Sequence, residues 1–310
     1  DGIRDIGVTG VQTCALPICR CSEGKPTVAL QWGVWNRVGM TAAAAADEPA
    51  GCPEPIHSPL FDELVRVGAD ETVLNGRLTC AERWVVDEHR TAEGHAVLPG
   101  TGYLEMAAEA LVALGEDGPF EVRDLYFFQP LHVADHGACA VRARLRGSVE
   151  GYELQIESRS GDGAWRTHSQ ARLLLQAMTP LDVVDVGALE TACTDHRAPA
   201  AGLDWIRSPQ EGHLTFGPRW RVIRDVRYGD GQALARIALA EDFVAETEDY
   251  RLHPAALDLA TGFAMELIAG YDRSRLWVPL TYRSVRVFGR LPADVRSCVT
   301  KCERVDAAGD

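Results

Sequence analysis

The chain has 310 residues, 46% of them hydrophobic, which is enough to bury a large core and suits about two domains of ordinary size. Its 31 lysines and arginines against 45 aspartates and glutamates leave a net charge of −14, which repels nucleic acid and anionic membrane surfaces. No apolar run approaches the ~18 residues a membrane span needs and no secretory leader pattern opens the chain, so a cytoplasmic location is expected. The nine cysteines are scattered without CxxC pairs or nearby histidine ligands, so neither zinc nor a disulfide scaffold is expected, and no metal is predicted.

Residues 1–26 show no sustained periodicity, resemble translated adapter sequence, and are expected to be non-native or disordered. Residues 27–41 form a short strand-like run into Trp32, Trp35 and then Gly39-Met40, and a segment with five consecutive alanines follows up to residue 55 and reads as a linker. The chain has no glycine-rich strand–turn–helix for a dinucleotide.

From His57 the pattern is regular. Strands are predicted at 73–86, 120–128, 138–146, 152–159 and 165–176, the last two joined by a glycine-containing hairpin turn. Among them, Leu104, Ala107, Ala108, Leu111 and Leu114 recur at helical spacing and predict one apolar helix over 101–114, interrupted by Glu105 and Glu109. After a looser segment at 179–201 the order repeats: strands at 220–228 and 232–240, a helix at about 254–269, and strands at 277–288 and from 295. Two tandem antiparallel sheets, each wrapped around one long helix, make an α+β double hotdog, with halves at 56–180 and 181–310 and the second truncated.

Two residues stand out chemically. His89 precedes the apolar helix in a segment that carries Gly94, Pro99 and Gly100, and the unpaired N–H groups of the helix's first turn point back toward it. A neutral imidazole there can take a proton from carbon beside a site that favours negative charge. His95 reads as a loop histidine. Asp258 follows His253-Pro254 on the second helix, on a face without other charge, where burial raises a carboxyl's pKa and keeps it protonated. Helix capping, or complementing the helix dipole near the first turn, is the competing reading of Asp258.

These residues carry a resemblance. From His57 onward the chain resembles the dehydratase domain of modular polyketide synthases, whose first half carries H-x-x-x-G-x-x-x-x-P and whose second half carries D-x-x-x-Q or D-x-x-x-H. His89, Gly94, Pro99 and Gly100, with the following Thr101 and Tyr103, match the first motif, and the approach through His253 and Pro254 to Asp258 matches the second. Gly217-Pro218 followed by Trp220, and the V-P-L-T-Y run at 278–282, are further matches. Residues 27–41 similarly resemble the end of a ketoreductase domain. Three departures stand out: His89 and Gly94 are separated by four residues instead of three, Gly262 occupies the place of the Gln or His that orients the aspartate, and Phe216 replaces a tyrosine before Gly217.

The resemblance implies a hydro-lyase that eliminates water from a β-hydroxyacyl thioester, with His89 as base, Asp258 as acid and backbone N–H groups at Gly100 and Thr101 meeting the thioester oxygen. Phe216 and Trp220, with Met265, would line an acyl tunnel. It implies no cofactor, since the substrate rides on the phosphopantetheine arm of an acyl carrier protein. Its partners would be that carrier and other synthase domains, and a second copy in a homodimer. The departures and the early end of the second half leave two alternatives: an inactive docking domain, or a double-bond isomerase or cyclase on the same fold.

Overall fold

The computed structural model describes residues 51–301 apart from 162, 177 and 180–182; the adapter-like segment 1–26, the ketoreductase-like stretch 27–41 and most of the linker lie outside the described residues. The linker is expected to run to residue 55, but β1 (Glu54–Pro55) already pairs with β2 (Glu63–Val67), so the fold begins earlier. β3 (Glu71–Leu78) ends sooner than predicted. The Thr79 carbonyl takes the Arg83 N–H at 3.0 Å and the Thr79 hydroxyl takes the Glu82 N–H, and this turn leads into a short helix, α1 (Trp84–Asp87), in place of continued strand.

β4 (His89–Thr91) and β5 (Ala96–Val97) follow as a small hairpin. α2 (Gly100–Ala113) lies within one residue of the predicted helix. Pro99 cannot donate a hydrogen bond and stands just outside the first turn, where none is required. At the other end Gly115 takes a positive φ of 86°, and the Glu116 N–H reaches back to the Leu111 carbonyl at 2.9 Å, closing the helix. Every residue from Thr101 to Leu111 is buried.

β6 (Phe120–Phe127), β7 (His132–Val133), β8 (Cys139–Ser148), β9 (Gly151–Ser160) and β10 (Arg166–Leu174) complete the first half. In the second half come α3 (Val186–Ala192), β11 (Asp195–Arg197), β12 (Leu214–Phe216), β13 (Ile223–Gly229), β14 (Gln232–Ala238), α4 (Pro254–Gly262), β15 (Thr281–Val287) and β16 (Asp294–Thr300). The large antiparallel sheet runs β1-β2-β3-β8-β9-β10-β6-β15, and a second one runs β11-β13-β14-β16. β15 therefore leaves its own half and pairs with β6 of the first. Leu74, Leu78, Val141, Ala143 and Ile156 close one core around α2, and Val222, Ile223, Ala235 and Ile237 close another against Ala255, Ala256 and Leu259 of α4.

The second helix is shorter than predicted. The Tyr228 hydroxyl donates to the Phe263 carbonyl at 2.9 Å, taking an acceptor that a longer helix would use, and only a 3-10 turn at Met265–Leu267 follows. Trp220, predicted in a strand, ends a 3-10 turn at Pro218–Trp220 that Pro218 starts.

Of the two glutamates of α2, Glu105 ties the helix to the second half and Glu109 ties it to the start of its own half. Both Glu105 oxygens accept backbone N–H groups, from Arg251 at 2.7 Å and from Leu252, while Glu109 accepts from the Ser58 hydroxyl and from the Leu60 N–H at 3.1 Å. Burial pushes the Glu105 carboxyl up to about 7, and burial together with the Glu105 charge pushes Glu109 well above the usual range. Between their ordinary value of 4.5 and these raised values the folded chain holds protons that the unfolded chain has released, so the contribution of these two groups to stability is full below about pH 4.5 and falls as pH rises toward neutrality. The thermal midpoint should decline between about pH 5 and about pH 8, less steeply in Glu109→Gln than in the wild type. Glu105→Gln should cost about 1–3 kcal/mol in denaturant titration, because an amide NH2 would face an N–H that needs an acceptor.

Candidate active site

β4 and β12 bring the two halves face to face. In the small sheet β12-β4-β5-β7, Phe216 pairs directly with His89, so the histidine expected in a loop is a strand residue held by a strand from the other half. Its Nδ1 lies 2.8 Å from the Val97 carbonyl. A carbonyl only accepts, so Nδ1 carries the hydrogen and Nε2 keeps a free lone pair, the form a general base needs. His89 is buried, with the rings of Phe216 and Trp220 each 5.6 Å away.

Asp258 sits one turn into α4. His253 caps that helix through Nδ1, which accepts the Ala256 N–H at 3.4 Å, so the capping reading of Asp258 does not hold. The Trp220 indole N–H donates to Asp258 Oδ2 at 2.9 Å, and this is the bond that orients the carboxyl. Burial raises the Asp258 pKa, and the positive charge that His89 acquires on protonation and the Trp220 hydrogen bond pull it part of the way back. One indole thus touches both members of the pair, its ring against the base and its N–H on the acid.

The other expected residues fall around this core. Gly100 opens α2 beneath Pro279, Phe127 and Tyr282, and a Cβ there would meet Pro279 at 3.2 Å. The Thr101 side chain is turned to the fold: its hydroxyl donates to the Pro254 carbonyl at 2.9 Å, tying the start of α2 to the start of α4. Tyr103 is buried edge-on against Phe127. Gly94, a residue of the first motif, lies exposed in the β4–β5 turn at φ +88° with open space about it; its glycine is needed for the turn. The four-residue spacing is absorbed in that turn. Gly217 is the glycine of close approach, since a Cβ on it would lie 2.2 Å from Glu88 Cγ. Pro218 is exposed, and Gly262 ends α4 with nothing within 4 Å of where a Cβ would be. His95 is exposed, as expected.

A shallow cavity of about 170 Å³ opens beside Phe216 and Trp220, with Trp205, Leu214 and Arg221 on its walls. Neither His89 nor Asp258 lines it, nor does Met265. Tyr282 belongs to the site, though the sequence offers it only within a longer motif. Burial and the Asp258 charge push its phenol up to about 12, and its hydroxyl would be 3.7 Å from a Cβ on Gly100, so it stands between the acid and the N-terminus of α2. Among the described residues no group of three or more His, Cys, Asp or Glu side chains could hold a metal ion, and no helix is long and apolar enough to cross a membrane.

A histidine with a free Nε2 and a carboxyl of raised pKa, one from each helix-and-sheet half, are groups that elimination or isomerisation chemistry can use. Two sequence models of one family match the chain, the "Polyketide synthase dehydratase domain" over residues 58–159 and the "Polyketide synthase dehydratase N-terminal domain" over residues 185–309. The chain belongs to the polyketide synthase dehydratase family, whose members are hydro-lyases. It is 33% identical over 240 residues to the spectinabilin polyketide synthase system protein NorA' of Streptomyces orinoci, a match covering 73% of this chain and 6% of that one. It is 30% identical over 266 residues to the polyketide synthase ThaG of Burkholderia thailandensis, covering 81% and 4%. The chain thus spans a small part of the curated relatives it matches. Among solved structures, the dehydratase domain from the CurK module of curacin polyketide synthase superposes with a TM-score of 0.71 at 22% identity, covering 81% of this chain and 89% of that one. The dehydratase domain from the terminal module of the rifamycin polyketide synthase gives 0.67 at 23% identity, covering 80% and 88%. They share its double-hotdog fold.

Trp220→Phe keeps the ring beside His89 and removes the donor on Asp258. In a carbon-13 carboxyl NMR titration, the Asp258 pKa should be higher in this variant than in the wild type. An unchanged value would remove Trp220 from the control of the acid.

Proposed function

We propose that this domain dehydrates a 3-hydroxyacyl thioester carried on the phosphopantetheine arm of an acyl carrier protein, with His89 as base and Asp258 as acid. The observation that carries the reading is the bridged pair: a histidine whose Nε2 is left free by the Nδ1 bond to Val97, and a carboxyl whose pKa burial raises, both in contact with Trp220. His89 Nε2 removes the α-proton, made acidic by the thioester carbonyl. Charge that develops on the carbonyl oxygen is met by the N–H groups of Gly100 and Thr101 in the first turn of α2. The β-hydroxyl leaves as water with the proton of Asp258, and the α,β double bond forms. A proton passed from His89 to Asp258 restores the starting state.

No electron leaves the substrate, so the chemistry asks for no redox cofactor, and the two side chains supply the proton traffic that a metal-bound water could otherwise supply. Gly262 lacks the side chain that orients the aspartate in relatives of the expected pattern, and here the Trp220 N–H fills that role. The partners proposed are the carrier protein and the neighbouring synthase domains, in the cytoplasm, with a second copy as dimer mate. Residues 56–180 and 181–310 are proposed as the two hotdog halves.

Turnover of a 3-hydroxyacyl thioester to the enoyl thioester, followed by mass spectrometry, tests the assignment. His89→Ala and Asp258→Asn should each lower kcat by about 10²–10⁴-fold with the fold intact. Turnover that survives both changes would sink the site assignment, and none from the wild type would sink the reaction.

A further inference from the structure

The residues that flank the proposed pair in sequence form a second cluster, unused by the chemistry. Glu88 precedes His89, Arg219 precedes Trp220, and His253 caps the helix of Asp258. We propose that Arg219 is a positioning residue: its guanidinium ties together the three chain segments that carry His89, Trp220 and Asp258, and so sets base against acid. This rests on the reading of the site given above.

The contacts converge on one side chain. Arg219 donates through Nε to both Glu246 oxygens at 3.0 and 2.9 Å and through Nη2 to Oε1 at 2.6 Å. Through Nη1 it reaches Glu88 Oε1, and its backbone N–H meets Glu88 Oε2 at 2.9 Å. Glu88 also accepts the Gly217 N–H on its carbonyl at 2.8 Å, so it holds this turn by side chain and backbone together. On the far side Glu246 Oε2 lies 3.2 Å from His253 Nε2, which must carry the hydrogen because Nδ1 accepts the helix-cap bond.

Trp84 fills the space between. The guanidinium lies 4.9 Å over its ring, His253 stacks on it at 5.0 Å, and Trp220 meets it edge-on at 5.7 Å. No hydrogen bond joins Arg219 to His89 or Asp258 among the described residues, so it acts through its neighbours. Partly buried ion networks add little net stability over apolar packing of the same volume, and fixing register is their best-attested use. Arg suits this place because its planar fork serves two carboxylates at once; Lys supplies one point charge.

The test compares wild type, Arg219→Gln, Arg219→Lys and Glu246→Gln in the thioester assay, with thermal midpoints beside the kinetics. Arg219→Gln should lower kcat by about tenfold or more with KM within about threefold, and Arg219→Lys should recover part of the loss. The alkaline limb of the pH–rate profile, which belongs to the acid, should move to higher pH in Arg219→Gln, because Trp220 no longer holds its donor on Asp258. A kcat within twofold of wild type, or a loss that only follows the folded fraction with the limb unmoved, overturns the inference. If Arg219→Gln does not fold, the alkaline limb in Glu246→Gln decides: moved, it supports the tie, and unmoved, it removes it. His89→Ala run in parallel separates the two claims. Wild-type-like Arg219→Gln beside an inactive His89→Ala fails the positioning role alone, whereas an active His89→Ala fails the site and this inference with it.

Discussion

The geometry of the site depends on the junction where α2 meets the chain entering α4. Two consecutive N–H groups, of Arg251 and Leu252, arrive there buried just before a helix that starts with proline, and among the described residues no backbone carbonyl takes either. A carboxylate has two acceptor oxygens and can take both. Glu105 supplies it, and Thr101 adds a bond to the Pro254 carbonyl one helical turn earlier on the same face. The cost is a desolvated acid inside an otherwise apolar helix, visible in its raised pKa. What the cost secures is a common frame for base and acid, which sit on segments far apart in the chain.

The acid itself shows the same balance. Burial raises the pKa of Asp258, and several charged donors would bring it back to that of an ordinary carboxylate. A neutral donor, the Trp220 indole, orients the group and offsets part of that rise, and the nearby histidine adds its influence only when charged. The empty space around Gly262 is consistent with this, since the orienting bond comes from the Pro218–Trp220 turn of the same half and not from the helix that carries Asp258.

The legible parts of the sequence are those fixed by local chemistry. α2 can be placed within a residue because Pro99, Gly100 and Gly115 mark its ends and its apolar run is long. The predicted second helix overruns because its stop is tertiary: the Tyr228 hydroxyl on β13 claims the Phe263 carbonyl. His89 reads as a loop residue for a similar reason, since the strand that makes it β4 is Phe216 and its neighbours, more than a hundred residues away in the other half. β15 is legible as a strand but not in its sheet, because alternation says which face is buried and nothing about which edge is free. Gly94 and Gly217 are both visible as glycines in motifs; only the structure separates the one needed for its positive φ from the one needed for its missing Cβ.

That second glycine explains how one short segment serves two purposes. Gly217 lets Glu88 come within contact of the backbone, and Pro218 fixes the start of a 3-10 turn. Residues in such a turn advance by about 120°, so neighbours in sequence point to different sides. Arg219 turns toward Glu88 and Glu246, and Trp220 turns toward His89 and Asp258. The charged side anchors the turn to both halves of the domain and the aromatic side presents a donor to the acid. An arginine in place of Trp220 would set a guanidinium beside Asp258 and lower the pKa that burial raises.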